Sequence, residues 1–300
     1  VTILREYTTC KTALSPSRLP GLDYALNPYS GCEHGCLYCY SRSMLRDNSM
    51  TDRWGSFVKA KRNIAERLSR ELRRVSRGIV GVSTVTDPYQ PYESDLQLTR
   101  RCLELLSTHM FPVSIQTKSS LVLRDIDLIQ RGRFDVGLTI TTLDDNLAKS
   151  LEPKASPPEA RVQALEELAE IGIDTWLFLG PIIPYVNDGE DSLREIVTIA
   201  KRTGSLLLFD LLNLKPGVLR SLTPFLEHKA PDLSKKLSNL LSLKSKYWER
   251  KSAAIQNICR ELDVKCEPAF SGKINAVEPA ASPLGYISQT LLSPVDRYSP

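Results

Sequence analysis

Short β-rich runs recur along this chain between segments of helical period, and that alternation restricts the folds open to it. The runs are Tyr24-Ala-Leu-Asn-Pro-Tyr, Ile79-Val-Gly-Val-Ser-Thr-Val, Val113-Ser-Ile-Gln-Thr, Phe134-Asp-Val-Gly-Leu-Thr-Ile-Thr, Ile173-Asp-Thr-Trp-Leu-Phe-Leu and Leu206-Leu-Leu-Phe-Asp-Leu-Leu, bounded by turn residues. Between them, apolar residues at three-to-four spacing predict helices over about 59–76, 96–110, 119–131, 158–171 and 191–203. Near-continuously apolar strands alternating with helices imply a parallel sheet covered by helices. Six such units make about three quarters of a (βα)8 barrel, an α/β fold of partial (βα)6 TIM-type barrel with its active-site loops at the C-terminal ends of the strands.

After Pro216 the alternation stops, and a helical segment over roughly 231–262 carries Leu237, Leu240, Leu241, Tyr247, Trp248 and Ile255. It is suited to cap the open side of the barrel. The expected division is an N-terminal segment (1–22), the partial barrel (23–216), and a C-terminal helical extension and tail (217–300). The tail from Pro268, rich in Pro, Ser and Ala, is expected to be partly disordered or to drape over the site. No apolar run is long enough for a membrane span and no secretory pattern opens the chain, so a cytoplasmic location without membrane contact is expected.

Seven cysteines in 300 residues are too few for a disulfide scaffold. Cys10, Cys102, Cys259 and Cys266 are scattered, as small buried residues are. The other three crowd into Asn27-Pro-Tyr-Ser-Gly-Cys-Glu-His-Gly-Cys-Leu-Tyr-Cys-Tyr, which places Cys32, Cys36 and Cys39 on one loop after the first strand. Three such thiolates can ligate three irons of a 4Fe-4S cluster, the fourth iron keeping an open position. Gly31 and Gly35 suit the reversals of a tight loop and leave room for the sulfides. A zinc site completed by His34 or a distant cysteine stands as the alternative, in a non-catalytic nucleic-acid-binding module. No downstream pair of Cys or His supports it, and three histidines (His34, His109, His228) make a multi-histidine site a poor fit.

These residues, in this order on this architecture, resemble the radical S-adenosylmethionine (SAM) superfamily, and within it the branch related to spore photoproduct lyase. The resemblance covers about Asn27 to Pro216. It implies reductive cleavage of SAM at the 4Fe-4S cluster to a 5′-deoxyadenosyl radical that abstracts hydrogen from a substrate. By that resemblance Cys36 and Tyr40 are catalytic, Tyr40 matching a tyrosine that helps relay hydrogen in the lyase. Tyr38 matches an aromatic bordering the adenine, and Thr86 and Asp87 stand where polar groups receive the methionine amine. Lys118 matches a lysine near the methionine carboxylate, as does Arg161, oriented by Glu152. Thr139 and Thr141 share a strand face suited to ribose hydroxyls, and Ile183 follows as an adenine contact. Each also has a plain structural use: aromatic packing, turns, strand formation or a helix-surface ion pair. The lyase's hydrogen-donating cysteine is replaced by Val85, so the resemblance carries the cofactor chemistry and leaves the substrate open.

A net charge of +4 permits a nucleic-acid partner without demanding one. Lys59, Lys61, Arg62, Arg67, Arg70, Arg73, Arg74 and Arg77 could line a phosphate-tracking helix, or simply solvate one. Lys235, Lys236, Lys244, Lys246, Arg250 and Lys251 form a second basic stretch. The chemistry also needs a reductant such as ferredoxin or flavodoxin. No glycine-rich phosphate loop and no G-x-S-x-G elbow is present, which leaves nucleotide hydrolysis and serine esterase chemistry without support.

Overall fold

The computed structural model describes residues 2–45, 50–215, 217–229, 233, 237, 240, 241 and 246–269. Expectations about Pro216, Lys235, Lys236, Lys244 and the tail from 270 lie outside the described residues. The first half contains β1 (Leu4–Thr8), β2 (Leu14–Pro16), β3 (Tyr24–Leu26), β4 (Tyr29–Gly31), β5 (Phe57–Lys61), α1 (Ile64–Glu71) and β6 (Val80–Val82), then α2 (Tyr92–Leu96), α3 (Leu98–Thr108), β7 (Pro112–Thr117), α4 (Ile126–Ile129) and β8 (Arg133–Thr139). The second half contains α5 (Asp145–Leu151), α6 (Pro158–Glu170), β9 (Asp174–Ile182), α7 (Glu190–Thr203), β10 (Leu206–Leu211), α8 (Val218–Lys229), α9 (Lys246–Glu261) and β11 (Cys266–Pro268).

The main sheet runs β11-β10-β9-β8-β7-β6-β3-β2, parallel throughout except for the antiparallel β2–β3 pair. It is a mixed α/β fold with a largely parallel sheet. Side-chain alternation along each strand sorts residues into two faces. Val113, Ile115, Val136, Leu138, Leu177, Leu179, Leu207 and Phe209 pack in one core with Leu103 and Leu106 of α3, Leu165 and Leu168 of α6, and Ile196 and Ala200 of α7. Each fully buried Leu, Ile or Val contributes about 1.5–3 kcal/mol. The opposite face carries the alternate residues Ser114, Gln116, Asp135, Gly137, Thr139, Trp176 and Phe178, polar where the first face is apolar. Gly137 is required there, because a Cβ would sit 2.2 Å from the Trp176 ring.

Helix α7 shows why these segments are helical. Gly189 precedes it, Glu190 and Asp191 open it, and Lys201 and Arg202 close it, so both ends complement the helix dipole; Gly204 then stops it at φ +64°. No helix among the described residues is long and apolar enough to cross a membrane.

Several sequence expectations change. The helix expected from 59 starts at Ile64, since Lys59 and Lys61 belong to β5, where buried Val58 and Ala60 alternate with them. The basic run is therefore divided between a strand, a helix and the loop after it, and part of its charge is engaged. Lys59 pairs with Glu6 at 3.3 Å, Lys61 donates to the Asn27 carbonyl at 2.8 Å, and Arg70 pairs with Glu66 at 2.5 Å. The first strand splits at Asn27-Pro28 into β3 and β4, and β4 leaves the main sheet to join a second one ordered β1-β5-β4. Residues 1–22 supply β1 and β2.

Candidate active site

The break at Pro28 is what positions the cysteines. Because β4 pairs with β5 rather than continuing β3, the chain reaches Cys32 beside the C-terminal end of β6. Cys32 and Cys36 are buried and Cys39 is half-buried. Gly31 has φ +83°, and a Cβ there would lie 2.6 Å from the Phe57 carbonyl oxygen. Gly35 (φ +65°) faces Gly55 (φ +88°), whose own Cβ would lie 2.6 Å from the Gly35 Cα. The glycines make room for neighbouring backbone and take the left-handed conformation that the reversals of the loop need.

Side chains from several elements clamp this loop. Arg5 on β1 grips Glu33 through Nε at 2.7 Å and Nη2 at 3.2 Å. The Gln90 side chain accepts from the Glu33 backbone N–H at 2.9 Å and donates to the Thr86 hydroxyl at 3.1 Å, while Thr86 donates to the Gly31 carbonyl at 2.6 Å. Asp87 accepts from the Thr117 hydroxyl at 2.7 Å and from the Tyr89 and Lys118 backbone N–H groups at 2.9 Å each. His34 Nδ1 stands 3.4 Å from Asp87 Oδ2, close enough to feel its charge but without hydrogen-bond geometry. Burial alone would raise the Asp87 pKa; the His34 ring, the Thr117 hydroxyl and Lys118 hold it well below the usual carboxylate range. Arg42, itself buried, donates to the carbonyls of Cys36 at 3.0 Å, Leu37 at 3.2 Å and Cys39 at 3.3 Å.

Behind Cys36 lies a buried polar network. The Tyr38 hydroxyl donates to Glu152 and sits 3.1 Å from the Thr141 hydroxyl, which donates to Glu152 at 2.8 Å. Glu152 also pairs with Arg161, whose Nε donates to the Ser156 carbonyl at 2.7 Å and whose Nη1 donates to the Thr139 carbonyl at 2.9 Å. Burial would raise the Glu152 pKa, but Arg161 and Lys118 bring it down, so it stays a carboxylate. Lys118 Nζ lies 5.8 Å from the centre of the Tyr38 ring. Burial lowers the Lys118 pKa, and Cys36, Glu152 and Asp87 together raise it further than burial lowers it.

The donor set fits an iron–sulfur group. Burial, reinforced by the nearby thiols, pushes Cys32 well above its ordinary range, and burial pushes Cys36 up against the pull of Lys118. Thiols so buried become thiolates only when a metal replaces the proton. Among the described residues no three His, Cys, Asp or Glu side chains converge on a point suited to a single metal ion.

The expected site residues divide into two groups. Cys36, Tyr38 and Ile183 share one buried cluster with Leu151 and Leu212, and Lys118 faces it. Ile183 is fixed there by its N–H donating to Asn187 at 2.7 Å. Tyr40 is 38% exposed and donates to the Thr84 carbonyl at 2.7 Å, beside Val85. Thr86, Asp87, Thr141 and Arg161 instead spend their side chains on protein partners, and the Thr139 hydroxyl is buried against the Gln116 amide at 3.3 Å. Arg161 is the most enclosed of them: its guanidinium is 1% exposed and engaged on three protein acceptors, Glu152 among them. Arg5, Gln90, Arg42 and Asn187 escaped sequence reading. A cavity of about 450 Å³ lined by Asp174, Lys201, Ser205 and Lys265 lies at the N-terminal ends of β9 and β10, away from the cysteines.

The chain thus combines a helix-covered, largely parallel sheet of the mixed α/β class with a clamped three-cysteine loop at the C-terminal edge of that sheet. The family model of the radical SAM superfamily matches residues 26–196, more than half of the chain, and the chain belongs to that superfamily. An uncharacterized protein of Methanocaldococcus jannaschii is 35% identical over 256 residues, 83% of this chain and 95% of that one. The "Radical SAM Nalpha-GlyT isomerase" of Pseudomonas phage M6 is 25% identical over 167 residues, 55% of this chain and 34% of that one. A solved spore photoproduct lyase mutant with bound AdoMet and dinucleoside spore photoproduct has the same fold, with a TM-score of 0.64 at 13% identity, over 87% of this chain and 80% of that one. The superfamily implies SAM and an iron–sulfur cluster. It makes the chain an enzyme of SAM-dependent radical chemistry, so the non-catalytic zinc module falls away.

Proposed function

We propose that this enzyme reductively cleaves SAM at a 4Fe-4S cluster held by Cys32, Cys36 and Cys39, with an electron from a ferredoxin or flavodoxin, and that the resulting 5′-deoxyadenosyl radical abstracts hydrogen from a nucleic acid in repair or modification. The observation that carries the reading is the placement of three clamped, mostly buried cysteines beside Lys118 at the C-terminal edge of the parallel sheet. The domain reading is a (βα)6 partial barrel formed by β3, β6, β7, β8, β9 and β10, extended by the chain from 217.

Within this reading Lys118 pairs with the methionine carboxylate, an ammonium suiting that charge in a partly desolvated pocket. Ile183 and Tyr38 border the adenine, and Thr139 lies toward the ribose. Glu152, Arg161 and Thr141 act as positioning residues that fix the Tyr38 ring. Thr86 and Asp87 hold the cysteine loop rather than the cofactor. Tyr40, beside Val85, takes the hydrogen-relay role. Support for a nucleic-acid substrate comes from the likeness in fold to the spore photoproduct lyase solved with a dinucleoside spore photoproduct.

The test is anaerobic reconstitution with iron and sulfide, followed by iron counting and a dithionite-driven assay for 5′-deoxyadenosine. About four irons per chain and deoxyadenosine formation, both lost in Cys36→Ala, are the expected result. A colourless protein that makes none would refute the reading.

A further inference from the structure

The last barrel strand places an unusual residue where a substrate would enter. Along β10, Leu207, Phe209 and Leu211 pack into the helix-covered core, while Leu206 and Leu208 face the other way with Trp176 and Phe178. Asp210 continues this second row, so its carboxylate points to the inner face of the sheet. At this point the β9–β10 register slips. Phe209 pairs with Leu179 but Leu211 pairs with Ile182, so Gly180 and Pro181 of β9 oppose Asp210 alone. Such a bulge re-aims side chains beside active sites.

Asp210 is also close to the radical-generating side. Leu212, two residues on, packs in the same buried cluster as Cys36, Tyr38 and Ile183. Yet among the described residues no cation faces Asp210, and its carboxylate's hydrogen-bond donor is the neighbouring Leu211 N–H at 2.9 Å. It is half-buried, so a partner from outside can reach it. Burial raises its pKa to about 7. A phosphate group is a poor partner for such a carboxylate; an N–H donor is a good one.

The same face offers further groups suited to a flat heterocycle. Phe178 is half-buried, its ring lying where a Cβ on Gly180 would come within 2.5 Å of it, and Gln116 holds an exposed amide steadied by Thr139. An aromatic ring with hydrogen-bonding groups around it is how proteins hold an unstacked base. We propose that Asp210 determines substrate specificity, its carboxyl group accepting an N–H from the edge of a nucleobase seated on the inner face of β9 and β10. This rests on the reading of the substrate as nucleic acid.

The reconstituted holoenzyme, with SAM present, is titrated with fluorescent single-stranded homo-oligonucleotides of dA, dC, dG and dT at several salt concentrations. The wild type is expected to spread its affinities across the four bases by about tenfold. Asp210→Ala should shrink that spread to about threefold or less while leaving the salt slope unchanged, because base contacts set preference and phosphate contacts set salt dependence. Asp210→Asn, which adds no cavity, should reorder the preference, since its amide donates as well as accepts. A spread that persists unaltered in both variants overturns the role of Asp210 and leaves the nucleic-acid reading standing. Absence of binding to any of the four, in a protein that still makes deoxyadenosine, overturns the nucleic-acid reading and the proposal with it.

Discussion

Replacing Glu152 by Leu should cost far more than a surface substitution, because it strands a charge. Glu152 and Arg161 are each about 1% exposed, and among the described residues Arg161 has no other anion on its fork, only the Ser156 and Thr139 carbonyls. Removing one partner of a buried ion pair costs about 3–5 kcal/mol. The Tyr38 and Thr141 hydroxyls lose an acceptor as well, each worth about 1 kcal/mol or more. Against a total stability of about 5–15 kcal/mol, the urea midpoint of the apoprotein, followed by circular dichroism at pH 7.5, should fall by a large fraction. Arg161→Leu should do the same, leaving Glu152 with Lys118 as its nearby cation. The double variant Glu152→Leu/Arg161→Leu should lose distinctly less than the sum of the two, since neither charge is left alone. A single variant within about 1 kcal/mol of wild type, or strict additivity in the double, would show that the pair is not coupled and that Tyr38 is not held through it.

Gly55→Ala, at φ +88° and 2.6 Å from the Gly35 Cα, should push the cysteine loop away from its clamps; about 1–3 kcal/mol of strain and reduced iron retention after gel filtration are expected, and unchanged iron content would contradict it. Asp135 is driven by burial to a pKa of about 7, against the Ser114 and Trp176 hydrogen bonds that favour its charge. The native state then binds a proton that the unfolded chain releases near pH 4, so stability is greatest below that and falls by up to about 4 kcal/mol as pH rises through 7. Chemical denaturation at pH 5 and pH 8 should show a smaller difference in Asp135→Asn, with Asp210, Asp174 and Glu267, also raised by burial, contributing to what remains. Arg5→Ala should loosen Glu33 and speed amide exchange across residues 32–36 without unfolding the main sheet; uniform exchange would refute a local clamp.

The main sheet was legible because its strands are buried on the helix side and write that burial into the sequence as Val, Ile and Leu. The strand β1 was not, since none of Leu4–Thr8 is buried and its pattern reads as polar surface. Lys59 and Lys61 were misplaced for a related reason: a strand of alternating Val, Lys, Ala and Lys also satisfies a helical count when a true helix follows it. The cysteine spacing announced the loop, but the clamps come from β1, the loop after β6 and the turn after Cys39, and long-range pairing leaves no periodic trace. Thr86, Asp87 and Arg161 were recognised as important by their positions. Sequence position could not show that these side chains hydrogen-bond to the protein around the cysteine loop.

That distinction has a consequence for how such a site can change its substrate. The parts that fix the cysteine loop are Arg5, Arg42, Thr86, Asp87 and Gln90, together with the Tyr38–Glu152–Arg161 network, all of them engaged in hydrogen bonds around the loop. Preorganising the thiols in this way lowers the ordering cost when metal enters. The inner face of β7, β9 and β10 carries few such obligations: Gln116 and Asp210 make one or two polar contacts each, and Phe178 rests on a glycine. On the proposed reading, substitutions there would alter what sits in front of the radical without altering how the cysteine loop is held. Substrate choice can therefore diverge along β9 and β10 while the loop on the other side of the sheet edge stays fixed, which is why Asp210 is a better place than any cysteine to look for what this enzyme recognises.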